Sequence, residues 1–378
     1  MTASGVPWIF ALLRQFRYSE GFLNIFLEKG IKQVMSQKLS FASDYMEGAH
    51  PAILKRLLET NMKKTAGYGC DEYSESARAK IREACHAPEA DVFFLVGGTQ
   101  TNATVIDAML HPYQGVIAAC TGHISTHEAG AIEAGGHKVL ELEPQDGKIT
   151  AEQIASCVSS FWQDDNHEHM VMPGMVYISQ PTEFGTLYSL EELAAISKVC
   201  REAEIPLYVD GARLAYALAS GANDVTLPDL AALCDAFYIG GTKCGTLFGE
   251  AVVFPRHNTV PHFFTIVKQH GALVAKGRIT GLQFDVLFTD GLYDAIGRSA
   301  IDAADRIRAA LDEKGYQQAI QAPTNQIFLL LGKDKAAELS TKIEMSFWEN
   351  RDEDHTVMRI CTSWATRQED VDRLIGML

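Results

Sequence analysis

Beginning near residue 85, the sequence alternates between short runs rich in β-branched and aromatic residues and amphipathic segments of helix length. Repeated strand–helix–strand units favour a mostly parallel sheet that is covered by helices on both faces. The sequence therefore predicts an α/β fold. The predicted strands of this sheet are residues 92–96, 116–120, 138–142, 175–179, 207–209, 236–239 and 251–254.

Capping boxes mark the starts of several helices. In this motif, the hydroxyl of the cap residue and the side chain three residues later each bind the other residue's backbone amide. Three pairs have this spacing: Thr150 with Gln153, Ser189 with Glu192, and Thr366 with Glu369. After residue 254 the alternation weakens, and a helix over residues 291–314 and strands over 326–331 and 356–362 are predicted. We divide the 378 residues into an N-terminal extension (1–37), a large domain (38–284) and a small C-terminal α+β domain (285–378). Met35 is a second candidate for the start of translation, because the residues after it lead directly into the first strand-like segment.

Composition excludes several classes of partner and location. The net charge of −15 opposes binding to nucleic acid or to an anionic membrane. No run approaches the 18 or so apolar residues of a membrane helix. The eight cysteines have no zinc-site or Cys-x-x-Cys spacing, so we expect reduced thiols in a cytoplasmic protein.

The residues that follow the strands carry the candidate chemistry, because open parallel sheets bind ligands at the carboxyl ends of their strands. Residues 97–102 (GGTQTN) form a glycine turn that opens a helix, which suits a phosphate but also occurs as an ordinary turn. Asp210 ends a strand, where it could also be a simple helix cap. Lys243 lies among glycines after another strand and is a candidate amine nucleophile. His123 and His127 stand one helical turn apart, with Glu128 beside the second.

These groups together meet the needs of pyridoxal 5′-phosphate. The aldehyde of this cofactor requires a lysine for a Schiff base, and its ring nitrogen requires a carboxylate. Its phosphate requires amide and hydroxyl groups as hydrogen-bond donors. Lys243, Asp210 and the loop at Gly98 would supply these in turn, and His123 could stack on the ring.

The sequence resembles the L-threonine aldolases, which have the aspartate aminotransferase-like fold. The resemblance covers nearly the whole chain after residue 38. Seven segments occur in that family's order: 39–44 (LSFASD), 68–73 (YGCDEY), 97–100 (GGTQ), 123–128 (HISTHE), 210–213 (DGAR), 241–243 (GTK) and 358–364 (MRICTSW).

The resemblance implies a role for each matching residue. Lys243 would form the Schiff base, Asp210 would pair with the ring nitrogen, and His123 would stack on the ring. The remaining implied contacts are Gly98, Thr99, Gln100, Thr242 and Arg213 with the cofactor, and Ser43, Tyr68, Arg213 and Arg359 with the substrate. A basic stretch with Lys268 and Arg278 resembles the family segment that reaches a neighbouring subunit's phosphate; otherwise it is a solvated surface. His127 stands where the family often has an aromatic residue, and Gly97 where it often has serine.

We therefore expect a cytoplasmic homodimer or homotetramer with shared active sites that cleaves threonine or related β-hydroxy-α-amino acids to glycine and an aldehyde. His123 or His127 is the candidate base for the β-hydroxyl. Two alternatives stay open. One is a pyridoxal-phosphate lyase that eliminates a β-substituent from another amino acid, and the other is a cofactor-binding protein without turnover.

Overall fold

The computed structural model describes residues 38–378. The predicted N-terminal extension, residues 1–37 with Met35, lies outside these described residues. The strands are β1 Leu39–Ser40, β2 Asp91–Leu95, β3 Gln114–Ala119, β4 Val139–Leu142, β5 Met172–Ser179, β6 Leu207–Asp210, β7 Ala236–Gly240, β8 Glu250–Phe254, β9 Gln317–Ile320, β10 Gln326–Gly332, β11 Ile343–Glu344, β12 Ser346–Asn350 and β13 His355–Cys361.

The helices lie between these strands and at the C-terminal end. They are α1 Pro51–Thr60, α2 Glu72–Ala84, α3 Gly98–Met109, α4 His123–Thr126, α5 Ala131–Ala134, α6 Ala151–Gln163, α7 Leu190–Glu202, α8 Leu214–Ala219, α9 Leu227–Leu233, α10 Phe263–Gln269, α11 Arg278–Leu287, α12 Leu292–Glu313, α13 Lys333–Ser340 and α14 Gln368–Met377, with a short 3₁₀ turn at His167–His169. None of the helices in residues 38–378 combines the length and the apolar character that a membrane crossing requires.

The large sheet has seven strands in the order β2-β8-β7-β6-β5-β3-β4. The pairs from β7 through β6, β5 and β3 to β4 are parallel, whereas β8 runs antiparallel to both of its neighbours. All seven predicted strands of this sheet are confirmed, with ends displaced by no more than three residues. The predicted mostly parallel sheet is therefore confirmed.

Side chains from both faces of the large sheet are buried. Along β6, Leu207 and Val209 belong to one apolar cluster, and Tyr208 between them belongs to another. Successive side chains of a strand point to opposite faces, so helices cover the sheet on both sides. This arrangement leaves the strand ends as the accessible parts of the sheet.

A second sheet, of four antiparallel strands in the order β12-β13-β10-β9, forms the C-terminal unit. The strands predicted at 326–331 and 356–362 and the helix predicted at 291–314 are β10, β13 and α12. Leu39 and Phe41 pack in the core of this unit, and β1 pairs with β11. Residues at the start of the predicted large domain thus contact the C-terminal unit.

Two of the three predicted capping boxes are confirmed. Thr150 with Gln153 and Ser189 with Glu192 make both reciprocal hydrogen bonds. The prediction at Thr366 is wrong, because α14 has Arg367 at its N-cap and no side-chain cap. The Thr366 hydroxyl instead accepts a hydrogen bond from the Ser363 amide at 2.8 Å, which closes a turn before the helix.

Candidate active site

A cavity of about 450 Å³ opens at the carboxyl ends of the parallel strands, between the large sheet and the C-terminal sheet. Five residues predicted from the sequence line it: His123, His127, Arg213, Arg359 and Lys243. The lining residues are Tyr45, His123, His127, Glu183, Arg213, Lys243, Ser346, Phe347, Trp348 and Arg359. The topology therefore brings together residues that are more than 230 positions apart in the chain.

Lys243 lies in a tight turn just after β7. A Cβ at Gly240 would lie 2.3 Å from the Ala212 carbonyl oxygen, so the backbones approach closely there because glycine has no side chain. The Tyr216 hydroxyl donates to the Lys243 carbonyl at 2.5 Å and fixes the turn. Within residues 38–378, no carboxylate lies within ion-pair distance of the Lys243 ammonium group. The amine is thus presented to the cavity.

Asp210 ends β6 and is only 4% exposed. Its carboxylate accepts hydrogen bonds from the Tyr177 hydroxyl at 2.7 Å, the Asn102 amide at 3.0 Å and the Ala212 backbone N–H at 2.9 Å. Burial alone raises the pKa of Asp210, but hydrogen bonds, with Tyr238 first, and the nearby His123 outweigh burial and lower it. The site therefore holds a buried carboxylate in its charged form.

His123 is fixed by a buried acid. Its Nδ1 lies 2.7 Å from the Glu128 carboxylate, whose side chain is fully buried. The Asn102 amide donates to the same Glu128 oxygen at 2.8 Å and thereby connects Glu128 to Asp210. Burial lowers the pKa of His123, but the Glu128 hydrogen bond and surrounding carboxylates raise it above the usual value overall.

His127 is the more exposed of the two histidines. Its ring is 5.8 Å from that of His123 and inclined by 28°, and its Nδ1 lies 2.7 Å from the Thr126 hydroxyl. Its orientation therefore depends on an exposed hydroxyl, whereas His123 is oriented by a buried carboxylate.

Arg213 is buried and already paired. Its Nε and Nη2 donate to the two carboxylate oxygens of Asp44 at 2.6 and 3.1 Å, and Asn325 donates to the same acid at 2.9 Å. Burial raises the pKa of Asp44, but the charges of Arg213 and Lys243 and these hydrogen bonds lower it to about 2. The aspartate thus positions Arg213 at the cavity and neutralises part of its charge.

Arg359, on β13, has no such partner among the described residues. Its guanidinium donates to Gln326 at 3.0 Å, makes longer contacts of 3.4 Å to the Ala42 carbonyl and the Ser346 hydroxyl, and lies over the Trp348 ring. Its Nε is buried and has no hydrogen-bond acceptor among residues 38–378. The hydroxyl of Ser43, the residue after Ala42, is also buried and has no hydrogen-bond partner among these residues. Arg359 therefore retains a charge that an anion could satisfy.

The predicted phosphate loop begins helix α3 at Gly98, with no side-chain cap. The first amides of a helix have no partner within it, so those of Gly98, Thr99 and Gln100 suit an anion. The side chain of Gln100 is bound internally, to the Val96 amide and the His270 carbonyl. These three residues do not line the cavity.

Thr242 and Glu250 lie behind the lysine turn. The Thr242 hydroxyl accepts from the Gly249 amide at 3.0 Å, and the Glu250 carboxylate accepts from the Gly241 amide at 3.0 Å. Glu250 is buried, and burial raises its pKa to about 8 despite these hydrogen bonds. The turn therefore rests on a carboxyl group that the fold favours in its neutral form.

Three further predicted residues, Tyr68, Lys268 and Arg278, also do not line this chain's cavity. Tyr68 is 45% exposed and carries the Lys268 ammonium group 5.2 Å above its ring. Arg278 donates to the carbonyls of Thr60 and Lys63, at the end of α1. The predicted contact of Lys268 and Arg278 with a neighbouring subunit's phosphate, and that of Tyr68 with the substrate, stay predictions.

Sequence reasoning missed Glu183, Trp348 and Asn102. Glu183 follows β5, and the rule that selected residues after the other strands would have found it. Asn102 belongs to the predicted loop, but nothing in the sequence indicates that its amide bridges two acids. Trp348 lies on the short strand β12, which the sequence pattern does not predict.

The arrangement combines an accessible amine, a buried anionic carboxylate, an oriented imidazole and two guanidinium groups around one cavity. In such a set, the lysine can bind the aldehyde of an aromatic cofactor and the carboxylate can bind the cofactor's ring nitrogen. The guanidinium groups can fix the carboxylate of an amino acid, and the imidazole can accept or donate a proton beside that amino acid.

Comparisons with known proteins give consistent results. A sequence model of the family described as "Beta-eliminating lyase" matches residues 40–338. A low specificity L-threonine aldolase of Pseudomonas aeruginosa is 32% identical over 298 residues, which are 78% of this chain and 84% of the relative. A Leishmania major threonine aldolase structure superposes with a TM-score of 0.86 at 43% identity, covering 89% of this chain and 97% of that one. An aspartate aminotransferase of Thermus thermophilus, 13% identical, superposes with a TM-score of 0.67 over 99% of this chain and 98% of its own, and shows that the fold is aspartate aminotransferase-like.

Proposed function

The chain belongs to the beta-eliminating lyase family, and we propose that it is a pyridoxal-phosphate-dependent aldolase that cleaves L-threonine, L-allo-threonine or related β-hydroxy-α-amino acids to glycine and an aldehyde. It resembles proteins named as threonine aldolases over most of its length. The observation that carries the proposal is the convergence of Lys243, His123, Arg213 and Arg359 on one cavity. This reaction would place the chain in amino-acid metabolism, in threonine breakdown and glycine formation.

The residues present fit pyridoxal phosphate. When bound, this cofactor supplies an electrophilic aldehyde and a ring that accepts electrons from a bond broken at Cα. Lys243 would hold the aldehyde, and Asp210 would hold the proton of the ring nitrogen. The free amides at the start of α3 would hold the phosphate. Two features of the structure support the fit: Asp210 is buried yet anionic, and Lys243 has no ion-pair partner among the described residues.

The two arginines would bind the substrate carboxylate from two sides. Arg213 is held by Asp44 in one orientation, and Arg359 faces the cavity from the C-terminal sheet. A carboxylate fixed in this way sets which bond at Cα faces the ring, and only that bond breaks readily. The residues thereby select cleavage between Cα and Cβ.

His123 is our choice for the group that takes the β-hydroxyl proton, directly or through water. The buried carboxylate of Glu128 orients its imidazole through Nδ1, which leaves Nε2 for the substrate. His127 lines the same cavity and stays the second candidate.

The reaction is tested by its products. The purified chain, loaded with pyridoxal phosphate and given L-threonine, should release glycine and acetaldehyde in equal amounts. A 2-oxo acid and ammonia would instead identify the alternative, a β-eliminating activity. Absence of turnover with every β-hydroxy-α-amino acid would support a cofactor-binding protein.

We also propose that the chain acts in the cytoplasm as a homodimer or homotetramer with shared sites. The apolar side chains of Leu54, Leu58 and Met62 on and after α1 are 47%, 80% and 89% exposed, as suits a surface that a second copy covers. All eight cysteines are free, which suits a reducing compartment. Neutralising Lys268 and Arg278 should weaken cofactor retention if they reach a neighbour's phosphate. Unchanged retention, or a fully active monomer in sedimentation, would contradict the shared site.

A further inference from the structure

Trp348 occupies the junction between the C-terminal sheet and the large domain. It lies on the edge strand β12, and its indole lines the cavity. Its ring packs edge-on against the rings of Phe328 and Phe184, with distances of 4.9 and 5.7 Å between ring centroids. The centroid of the His127 ring lies 6.4 Å away. The indole is therefore fixed by neighbours from three other segments of the chain.

The Arg359 guanidinium carbon lies 5.4 Å from the centre of the Trp348 ring. This distance is within the range at which the negative face of an aromatic ring attracts a cation. The other contacts of Arg359 are with neutral groups, and two of its three hydrogen bonds have lengths of 3.4 Å. The indole is thus a principal support of this guanidinium.

Support by a ring differs from support by an acid. Asp44 holds Arg213 through a bidentate ion pair, which uses two of its N–H groups and offsets its charge. An aromatic face attracts the guanidinium without taking its N–H donors and without adding a negative charge. Arg359 therefore stays able to bind an anion in the cavity.

We propose that Trp348 is a positioning residue for the substrate carboxylate, acting by holding the Arg359 guanidinium against its ring and towards the cavity. The proposal rests on the proposed function in that it takes the ligand to be an α-amino acid. It predicts that affinity for the carboxylate depends on the electronic character of the ring at position 348, and not only on its volume.

The test measures glycine binding to the cofactor-loaded chain by calorimetry. Trp348→Leu, which keeps apolar bulk and removes the ring, should weaken glycine binding roughly tenfold, or about 1.4 kcal/mol. Trp348→Phe, which keeps a ring, should stay within about threefold of the wild type. Trp162→Leu is the matched control, because Trp162 is a 55% exposed tryptophan on α6, away from the cavity.

Fluorinated tryptophan provides a second measurement that leaves the shape of the core nearly unchanged. Each added fluorine weakens the negative face of the ring, so glycine affinity should fall stepwise in the wild-type background. The same series in the Trp348→Phe background should leave glycine affinity unchanged, because position 348 then carries no tryptophan. This background controls for fluorination of the other tryptophans. This series decides the question even if Trp348→Leu does not fold.

Three results would overturn the proposal: wild-type glycine affinity in Trp348→Leu, equal weakening by Leu and Phe, or no response to fluorination. Trp348→Leu should also add little to the loss caused by Arg359→Lys, and full additivity would likewise count against it. A wild-type chain that binds glycine but does not cleave threonine would overturn the proposed reaction alone. In that case the glycine titrations still decide the role of Trp348.

Discussion

The two sides of the cavity are built in different ways. The floor consists of Lys243, which lines the cavity, and of buried Asp210 at the end of β6 with the residues bound to it. The Asp210 carboxylate is held by hydrogen bonds of 2.7 to 3.0 Å. The wall, formed by Arg359 and Trp348, belongs to the antiparallel C-terminal sheet and is held by longer polar contacts and an aromatic face. The buried acid of the floor is therefore fixed by short hydrogen bonds, whereas Arg359 of the wall keeps N–H donors that a ligand could use.

Replacing Asp210 by Asn tests the floor and should have the largest effect. The substitution removes the negative charge that would hold the ring-nitrogen proton, so kcat for cleavage should fall about a thousandfold, on the scale seen when one preorganised electrostatic contact is lost. The link between cofactor and lysine should still form, and its visible absorption is the control. A near-normal rate in Asp210→Asn would contradict the role of the floor.

The two arginines of the cavity are also held in different ways, Arg213 by the buried acid Asp44 and Arg359 by the face of Trp348. Lysine cannot reproduce the two-pronged hydrogen bonding of arginine, so Arg213→Lys and Arg359→Lys should both weaken glycine binding, by about tenfold or more. Only Arg213→Lys should also lower the urea midpoint of unfolding, because it disrupts a buried ion pair with Asp44. Equal loss of stability in both variants would remove the distinction between a locked and a free arginine.

Glu250 should make the stability of the floor depend on pH. Its pKa is raised to about 8 in the folded chain, above the value of 4.5 for a free glutamate. The folded state therefore binds the proton more tightly, and the contribution to stability is full below pH 4.5 and is lost as pH rises towards 8. As pH rises from 5.5 to 8.5, the free energy of unfolding of the cofactor-free wild type should fall relative to that of Glu250→Gln, by an amount on the order of 3 kcal/mol. Urea unfolding at the two pH values measures it, and parallel behaviour of the two proteins would contradict it.

His123 should give the smallest effect, a displacement of the pH profile. The base must be neutral to accept a proton, and its pKa is raised, so kcat/KM should rise with pH through a value above 6.5. Glu128→Gln removes the charge that raises this pKa, and burial then lowers it. The acid limb of the profile should therefore move to lower pH. An unmoved limb would assign the titration to another group.

The floor could be predicted from the sequence because the strands of a parallel sheet are marked by apolar runs and their ends by polar residues. The sequence predicts Lys243 and Asp210 of the floor in that way, and His123 with them, and the structure brings all three to one edge of the large sheet. Their roles remain predictions, but their proximity follows from the topology.

In the wall, the sequence predicts Arg359 and the strand that carries it, but it does not predict Trp348. Trp348 lies on β12, a strand of five residues whose pairing with β13 contains a register shift. Buried and exposed positions do not alternate regularly along this strand. Its contact with Arg359 depends on how β12 pairs with β13. The pairing of Arg213 with Asp44, 169 residues away, likewise arises from tertiary packing alone.

The proposed function depends most on Lys243 as the residue that carries the cofactor. The most direct measurement is borohydride reduction of the chain loaded with pyridoxal phosphate, followed by proteolysis and mass mapping of the modified peptide. We expect the reduced cofactor on the peptide that contains Lys243, and no modification there or at a substitute lysine in Lys243→Ala. Reduction onto another lysine of the wild-type chain, or undiminished modification of Lys243→Ala, would contradict it.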